Sequence, residues 1–419
     1  MLNHLRVLVV GASVAGPSTA YWLAKAGAEV TVIERFSGIR KGGQAVDIRT
    51  SGVTVMRRIP GLEELVRSRH AGEEGIGFVD KNGKSYGIIR GSGNPDHQTL
   101  LSEYEILRGD LAVILYDLTK DNGRIRYRFN EQICAIRQQP DGESIEVDFT
   151  SSAKTSTFDL VVAADGASSR TRAMGFGCGI RDYVYPSDLW AAYFSTNADF
   201  LKGGKIGRGF SAVNGRFLAI GPKPSGGNLA MIMGRDRSSD LRHALVRGEE
   251  RAFVAKSFQN AGWISKEVCE EMMVAEDFYA NEIVQVRLPR YYNGRFVAVG
   301  DAGYAVGPTG FGTSAALTGA YILAGELSKH PDDIMAGLGG YQEEMQRLVK
   351  DMQKVPPLLS TFLLPSSPWL IWLRNNLFGI VARSGIAEVL QKWFGGAFGK
   401  SEEYPIPTYE WPTERGRKI

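Results

Sequence analysis

Residues 7–16 read VLVVGASVAG and residues 32–35 read VIER, and these residue types at this spacing suit a dinucleotide pyrophosphate. Gly11 lets the chain turn sharply and bring backbone amides up to phosphate oxygens, while Gly16 lets a following helix lie close against the strands. The N-terminus of that helix adds partial positive charge. Glu34, 23 residues after Gly11, is spaced to accept hydrogen bonds from a ribose 2′-hydroxyl. Ser13 stands where the usual pattern has its middle glycine. Taken alone, the fingerprint serves two kinds of dinucleotide equally, or a strand–turn–helix with no ligand.

Positioning these residues requires a buried strand over 7–10, a helix over 17–25 stopped by Gly27, and a second strand over 29–33, together a βαβ unit. Two later segments end in the same manner. A buried apolar run over 159–164 delivers Asp165-Gly166 and, after it, Arg172, at the carboxyl end of a strand, where open α/β sheets hold ligands. A strand within 294–303 ends in Gly300-Asp301 and leads through Pro308, Gly310, Gly312 and Thr313 into a helix over 315–327.

Between them, 53–58 and 61–69 read as surface helices, and the Asn82-Gly83 pair within 76–89 as a hairpin. A helix follows Arg108 with Leu111, Ile114, Leu115 and Leu118 on one face, and β-like runs cover 125–129, 133–138 and 145–150. From about residue 181 the pattern changes to short strands at 190–196, 209–213, 217–220 and 229–233, with no crossover helices between them. They predict an antiparallel sheet, closed by helical stretches over 242–259 and 266–271.

Composition narrows the function classes. The 419 residues are 43% hydrophobic and 23% charged, ordinary for a globular chain with a sizeable core, and their 50 glycines exceed the usual share of about 7%. A net charge of +3 without blocks of like charge argues against a nucleic-acid partner. Cys134, Cys178 and Cys269 are scattered without metal-ligand spacing, so no metal is expected, and they suit a reducing compartment. The first strand starts by residue 7, leaving no room for a secretory segment, and no charge-free apolar run approaches a membrane span. The expectation is a soluble cytoplasmic protein. His4, His70, His97, His243 and His330 lie far apart in sequence.

The three glycine-bearing segments, in their order and spacing, together with the run Glu105-Ile106-Leu107-Arg108-Gly109-Asp110-Leu111, resemble the single-component FAD-dependent aromatic hydroxylases of the para-hydroxybenzoate hydroxylase group. The resemblance runs from residue 7 to about residue 330. It implies an α/β fold: a Rossmann-like FAD-binding domain with a mixed sheet (1–72, 101–180 and 281–345), an antiparallel-sheet substrate domain (73–100 and 181–280) and a C-terminal helical region (346–419). It implies FAD as cofactor, NADPH or NADH as transient co-substrate, O2, and a small aromatic or polycyclic substrate.

By motif, Gly11, Ser13, Ala15 and Gly16 would hold the pyrophosphate, Glu34 the adenosine ribose, and Arg35 would lie beside the adenine. Arg108 would neutralise a phosphate or reach the ribityl chain, whose hydroxyls Asp301 would accept. The 43–47 segment, with Ala45 and Asp47, would pass alongside the isoalloxazine. Asp165 would either shape the nucleotide region or cap its own turn, and the amides following Gly310, at Gly312, Thr313 and Ser314, would face the anionic end of reduced flavin.

Tyr304 and Ser314 depart from the group, many of whose members carry His and Asn there. A catalytic base is not assignable, and Tyr193, Arg208 and Arg216 read as structural. The implied activity is insertion of one oxygen atom from O2, by hydroxylation with epoxidation or Baeyer–Villiger insertion as variants, in specialised metabolism. The rivals are an FAD oxidase or reductase without oxygen transfer, and a non-catalytic carrier of the same architecture.

Beyond this region, Tyr341, Met345, Leu348 and Met352 mark one face of a helix that ends before Pro356-Pro357. The aromatic stretch 358–381 reads as a helix pair packed over the first domain, with interfacial membrane contact as the sharper alternative.

Overall fold

The computed structural model describes residues 2–40, 42–70, 72–91, 102, 104–139, 142–151, 154–236, 238–355, 359–384 and 405–412. Among earlier expectations, His97, Pro356-Pro357 and the parts of the C-terminal region at 358, 385–404 and 413–419 lie outside the described residues. The chain opens with β1 (Arg6–Val10), α1 (Ala15–Lys25) and β2 (Glu29–Glu34), then β3 (Ala45–Asp47), α2 (Ser51–Arg57), α3 (Leu62–Ser68), β4 (Gly75–Val79) and β5 (Ile89–Arg90). Next come β6 (Glu105–Leu107), α4 (Arg108–Asp117), β7 (Ile125–Phe129), β8 (Ile133–Gln138), β9 (Ile145–Phe149), β10 (Ser156–Phe158), β11 (Leu160–Ala163) and α5 (Arg170–Phe176). The middle of the chain supplies β12 (Val184–Thr196), β13 (Ile206–Ala212), β14 (Arg216–Pro222), β15 (Asn228–Arg235), α6 (Asp240–Arg247), α7 (Glu250–Ser257), α8 (Ser265–Val274) and β16 (Tyr279–Val286). It finishes with β17 (Tyr292–Asn293), β18 (Phe296–Ala298), α9 (Asp301–Tyr304), α10 (Gly312–Lys329), α11 (Ile334–Met352), α12 (Leu359–Leu363) and α13 (Pro368–Ser384).

The first sheet has the order β17-β18-β11-β1-β2-β7 and is parallel except at β17–β18. Its strands are short, continuously apolar runs because both faces are covered: Val7, Leu8 and Val9 of β1 and all of β11 are fully buried. The chain leaves β1 to one side through β2 and later returns on the other through β11. The strand order therefore reverses between β1 and β11, and a crevice opens at their carboxyl ends. Gly11 follows β1 there, and Asp165 follows β11. β8, β9 and β10 form a separate antiparallel sheet.

The second sheet has the order β16-β12-β15-β14-β13-β4-β5. It is antiparallel except where β4 joins β13 in parallel, Gly75 opposite Ile206 through Val79 opposite Phe210. One of its faces carries Trp190, Leu218, Ile220 and Ile232 into a core with Leu241, Val254, Val268 and Met272 of α6 to α8.

Three local expectations are corrected. The helix predicted at 53–58 is not on the surface: Val53, Val55 and Met56 are buried, because Gly52 brings α2 against Ser314 of α10 closely enough that a Cβ there would lie 2.7 Å from the serine oxygen. The stretch 242–259 is two helices, since Gly248 ends α6 in the left-handed conformation. The helix pair near the C-terminus packs over the second sheet rather than the first. Arg374 of α13, buried, lies 3.9 Å over the Phe78 ring and donates to Ser211, and Phe378 meets Phe78 edge to face. The outer face of α13 leaves Trp369 and Trp372 stacked on each other and exposed. Among the described residues no helix is long and apolar enough to cross a membrane.

Residues 405–412 run back without regular structure to the first core. Trp411 stacks on Trp22 of α1 at 4.9 Å, and the Tyr409 ring fills the space left by Gly325, its hydroxyl donating to Glu326 at 2.7 Å. Glu326 keeps a second partner in Lys329. Tyr409→Ala is expected to destabilise the protein by roughly 3–5 kcal/mol, and Tyr409→Phe by about 1–3 kcal/mol. Thermal melting of the two variants beside the parent checks the ranking.

Candidate cofactor and substrate site

The turn after β1 is held from both sides. Gly11, at φ +106°, rests on the end of β11, where a Cβ would come within 2.7 Å of the Ala164 carbonyl oxygen. Its amide donates to Ile33 of β2 at 2.8 Å. A Cβ at Gly16 would lie 1.8 Å from the Gly11 carbonyl oxygen. The first turn of α1 thus touches the turn it follows, and its N-terminus points at the space above Gly11. Glu34 accepts the Ala12 amide at 2.9 Å and that of Phe36 at 3.2 Å, which fixes its carboxylate at the cleft edge.

A cavity of about 680 Å³ runs from this turn. Gly11, Ser13, Glu34, Arg35, Arg108 and Asp165 all line it. Ala15 and Gly16 do not: they are buried in the packing that shapes its floor. Arg35 spreads its guanidinium over the Phe36 ring at 4.7 Å. Asp301, solvent-exposed at the start of α9, lines neither cavity. Desolvation by the protein around it raises its pKa, and the Arg108 guanidinium acts in the opposite direction. Gly310 is exposed at φ +80°, and Gly312, with Thr313 beside it, opens α10 next to Asp301, 3.6 Å from the carboxylate to a Cβ built on Gly312.

Asp165 caps its own turn, accepting Ser169 and the Thr171 hydroxyl and amide. Burial pushes its pKa up, and those hydrogen bonds pull it down. Arg172, fully buried, donates to Ala167 and Ile180 at 2.8 Å and to Ala302 at 3.1 Å, tying this turn to α9. The group-specific departures serve packing. Ser314 accepts the Arg49 amide at 2.8 Å in a gap that Gly52 closes, and the Tyr304 hydroxyl meets that of Tyr341 at 3.1 Å.

A second cavity of about 310 Å³ adjoins the first, the two sharing Gly43 and Gln44. Ala45, Ile76, Phe78, Tyr193, Phe217 and Met231 give it mostly apolar walls, and Arg208 lines it as well. Tyr193 stacks on Tyr279, and burial pushes its pKa up to about 12. Sequence reading left Tyr193 and Arg208 aside because nothing local marks which face of a sheet meets a ligand. Arg216, in contrast, bonds the carbonyls of Val213, Ser257 and Gln259.

Asp47 lines neither cavity: extended backbone puts Arg49, two residues on, on the same face, and its guanidinium takes the Asp47 carboxylate at 2.8 and 3.1 Å. Two acids absent from the sequence-based site, Glu73 and Glu105, do line the smaller cavity. Burial and then the Asp47 charge push Glu73 up to about 7, and burial raises Glu105 well above the usual carboxylate range.

The residues fit an FAD. Gln44 Oε1, at the junction of the cavities, and Thr309 Oγ1, just before Gly310, are buried without a hydrogen-bond partner among the described residues. Gly11 and Gly16 leave no room for a Cβ, so the turn and the start of α1 pack backbone to backbone at the head of the cleft.

Comparison with known proteins agrees. A family model described as FAD binding domain matches residues 4–353. Monooxygenase CTB7 of Cercospora beticola is 32% identical, covering 97% of this chain and 98% of its own. The FAD-dependent monooxygenase asL4 of Sarocladium schorii is also 32% identical, covering 91% and 93%. Among solved structures, the tetracycline destructase Tet(51) matches with a TM-score of 0.78 at 28% identity, over 97% of this chain and 100% of that one.

Gly16→Ala is expected to abolish FAD retention, while Gly38→Ala, at a position with nothing within 4 Å, leaves it intact. The ratio of flavin to protein absorbance after purification reads both. Glu73 binds its proton more tightly folded, at about 7, than at its usual 4.5, so its contribution to stability is full below 4.5 and is lost as pH rises through 7. Glu73→Gln is therefore expected to flatten the fall in melting temperature across that interval.

Proposed function

The chain belongs to the FAD binding domain family and is an FAD-dependent monooxygenase, and from that premise we propose that it hydroxylates an aromatic or polycyclic small molecule in specialised metabolism. The observation that carries the proposal is the junction of the two cavities at Gly43 and Gln44: a long polar cleft sized for a dinucleotide opens there into a smaller, mainly apolar chamber sized for a ring system. The fungal relatives named as monooxygenases, similar over nearly their whole length, support the same reading.

In this reading Gly11, Ser13 and the N-terminus of α1 hold the pyrophosphate, with Glu34 on the ribose and Arg35 beside the adenine. Arg108 and Asp301 hold the middle of the cofactor. The backbone of 43–45 lies along the ring system, and the amides at the start of α10 stabilise negative charge on it, worth roughly 0.3–2 kcal/mol. When bound, FAD supplies hydride acceptance from NADPH or NADH and the activation of O2. The chain supplies orientation and dryness. Tyr193, Phe217 and Met231 exclude water from the place where the substrate ring would lie.

The test uses the FAD-loaded protein with NADPH and isotopically heavy dioxygen against a panel of phenols. One heavy oxygen atom in the product is the expected result. NADPH consumption with all of the label in hydrogen peroxide or water would leave an oxidase.

A further inference from the structure

Two carboxylates line the substrate chamber, neither of them in an ion pair among the described residues. Asp47 and Glu105 stand directly opposite each other in the β3–β6 ladder, so their side chains share a face. Arg49 pairs with Asp47, and its charge also acts on Glu105, against the effect of burial. Glu105 lines the chamber, half-buried, with no hydrogen bond to its carboxylate among the described residues. Glu73 reaches the same wall from the residue pair preceding β4. Its Oε1 occupies the space that a side chain at position 207 would take, 1.5 Å from a Cβ built on Gly207, and it accepts the Gly207 amide. The buried, unpartnered Oε1 of Gln44 lines this chamber too. The wall is thus rich in acceptors, of which Glu73 takes the Gly207 amide and the Glu105 carboxylate has no hydrogen bond among the described residues. Arg208 also lines the chamber but forms no ion pair with either acid among the described residues.

We propose that Glu73 and Glu105 receive the hydroxyl of the substrate and take its proton, which makes the substrate a phenol or enol bound hydroxyl-first against this wall. The inference rests on the monooxygenase reading above and adds the base that sequence could not assign. In the step the substrate O–H bond breaks, the carboxyl O–H bond forms, and the electron pair stays on the substrate oxygen. Delocalised into the ring, it raises electron density at the ortho and para carbons, where an electrophilic oxygen is accepted. Nothing is oxidised or reduced in this step, and the proton returns to the product oxygen or to solvent. Burial first, and then the Asp47 charge beside both, suit the pair to the work, since a carboxyl with raised proton affinity is a better match to a phenol than an ordinary one.

Equilibrium titration of the FAD-loaded protein with 2-naphthol and with 2-methoxynaphthalene, followed by the change in flavin absorbance at pH 8, tests the proposal. 2-Naphthol is expected to bind tighter by at least about tenfold. That preference is expected to shrink as pH is lowered through 7, where Glu73 takes up a proton, and to vanish in Glu73→Met/Glu105→Met. A preference near unity in the parent, saturable binding of neither probe, or a preference unchanged in the double variant overturns it. Should the double variant fail to retain FAD, the pH dependence of the parent decides. Heavy oxygen in a product with no hydroxyl preference defeats this inference alone. Hydroxyl preference without label transfer defeats the monooxygenase reading alone.

Discussion

A Cβ on Gly16 would stand 1.8 Å from the carbonyl oxygen of Gly11. That single approach, helix backbone on turn backbone, sets where α1 begins relative to the sheet and hence where its free amides point. Gly11 in turn presses on the end of β11. The two contacts lock the first helix, the first strand and the strand added across the reversal into one rigid corner. A wider spacing would move the amides away from the crevice and bring in water, and a dinucleotide would lose its best-oriented donors.

The rest of the site is tied to that corner by a few long-range hydrogen bonds. Arg172 spans the carbonyls of Ala167, Ile180 and Ala302, so the turn after β11 and the short helix at Asp301 move together. Ser314 fastens the Arg49 amide to the start of α10. The amides of Arg108 and Gly109 bond the Gln44 and Gly42 carbonyls, zipping the segment between the two cavities to the start of α4. Each link satisfies buried backbone groups that would otherwise cost stability, and each joins parts of the chain far apart in sequence. Positioning and stability are the same contacts here.

That division explains what the sequence revealed. The βαβ unit was legible because its determinants are local: glycine spacing, a four-residue apolar run and an acid at the end of β2. The strands at 125–129 and 133–138 were legible for the same reason, with alternation or continuity visible in a short window. Glu73 was not, because it reaches the chamber only through the parallel pairing of β4 with β13, more than a hundred residues later. Asp47 sits next to residues that line the cavities, and only side-chain geometry shows its carboxylate paired with Arg49. The burial of α2 depends on Gly52 meeting Ser314, again a pairing with no local trace. The placement of α13 depends on an arginine that sits over Phe78 rather than in water.

The stack of Trp411 on Trp22 and the insertion of Tyr409 beside Gly325 mean that the first helix is finished by residues synthesised long after it. During translation α1 and α10 leave the ribosome with an uncovered aromatic face, and that face closes only once the segment around Tyr409 has emerged. A nascent chain stalled short of Tyr409 carries an exposed indole where the folded protein has a sealed core.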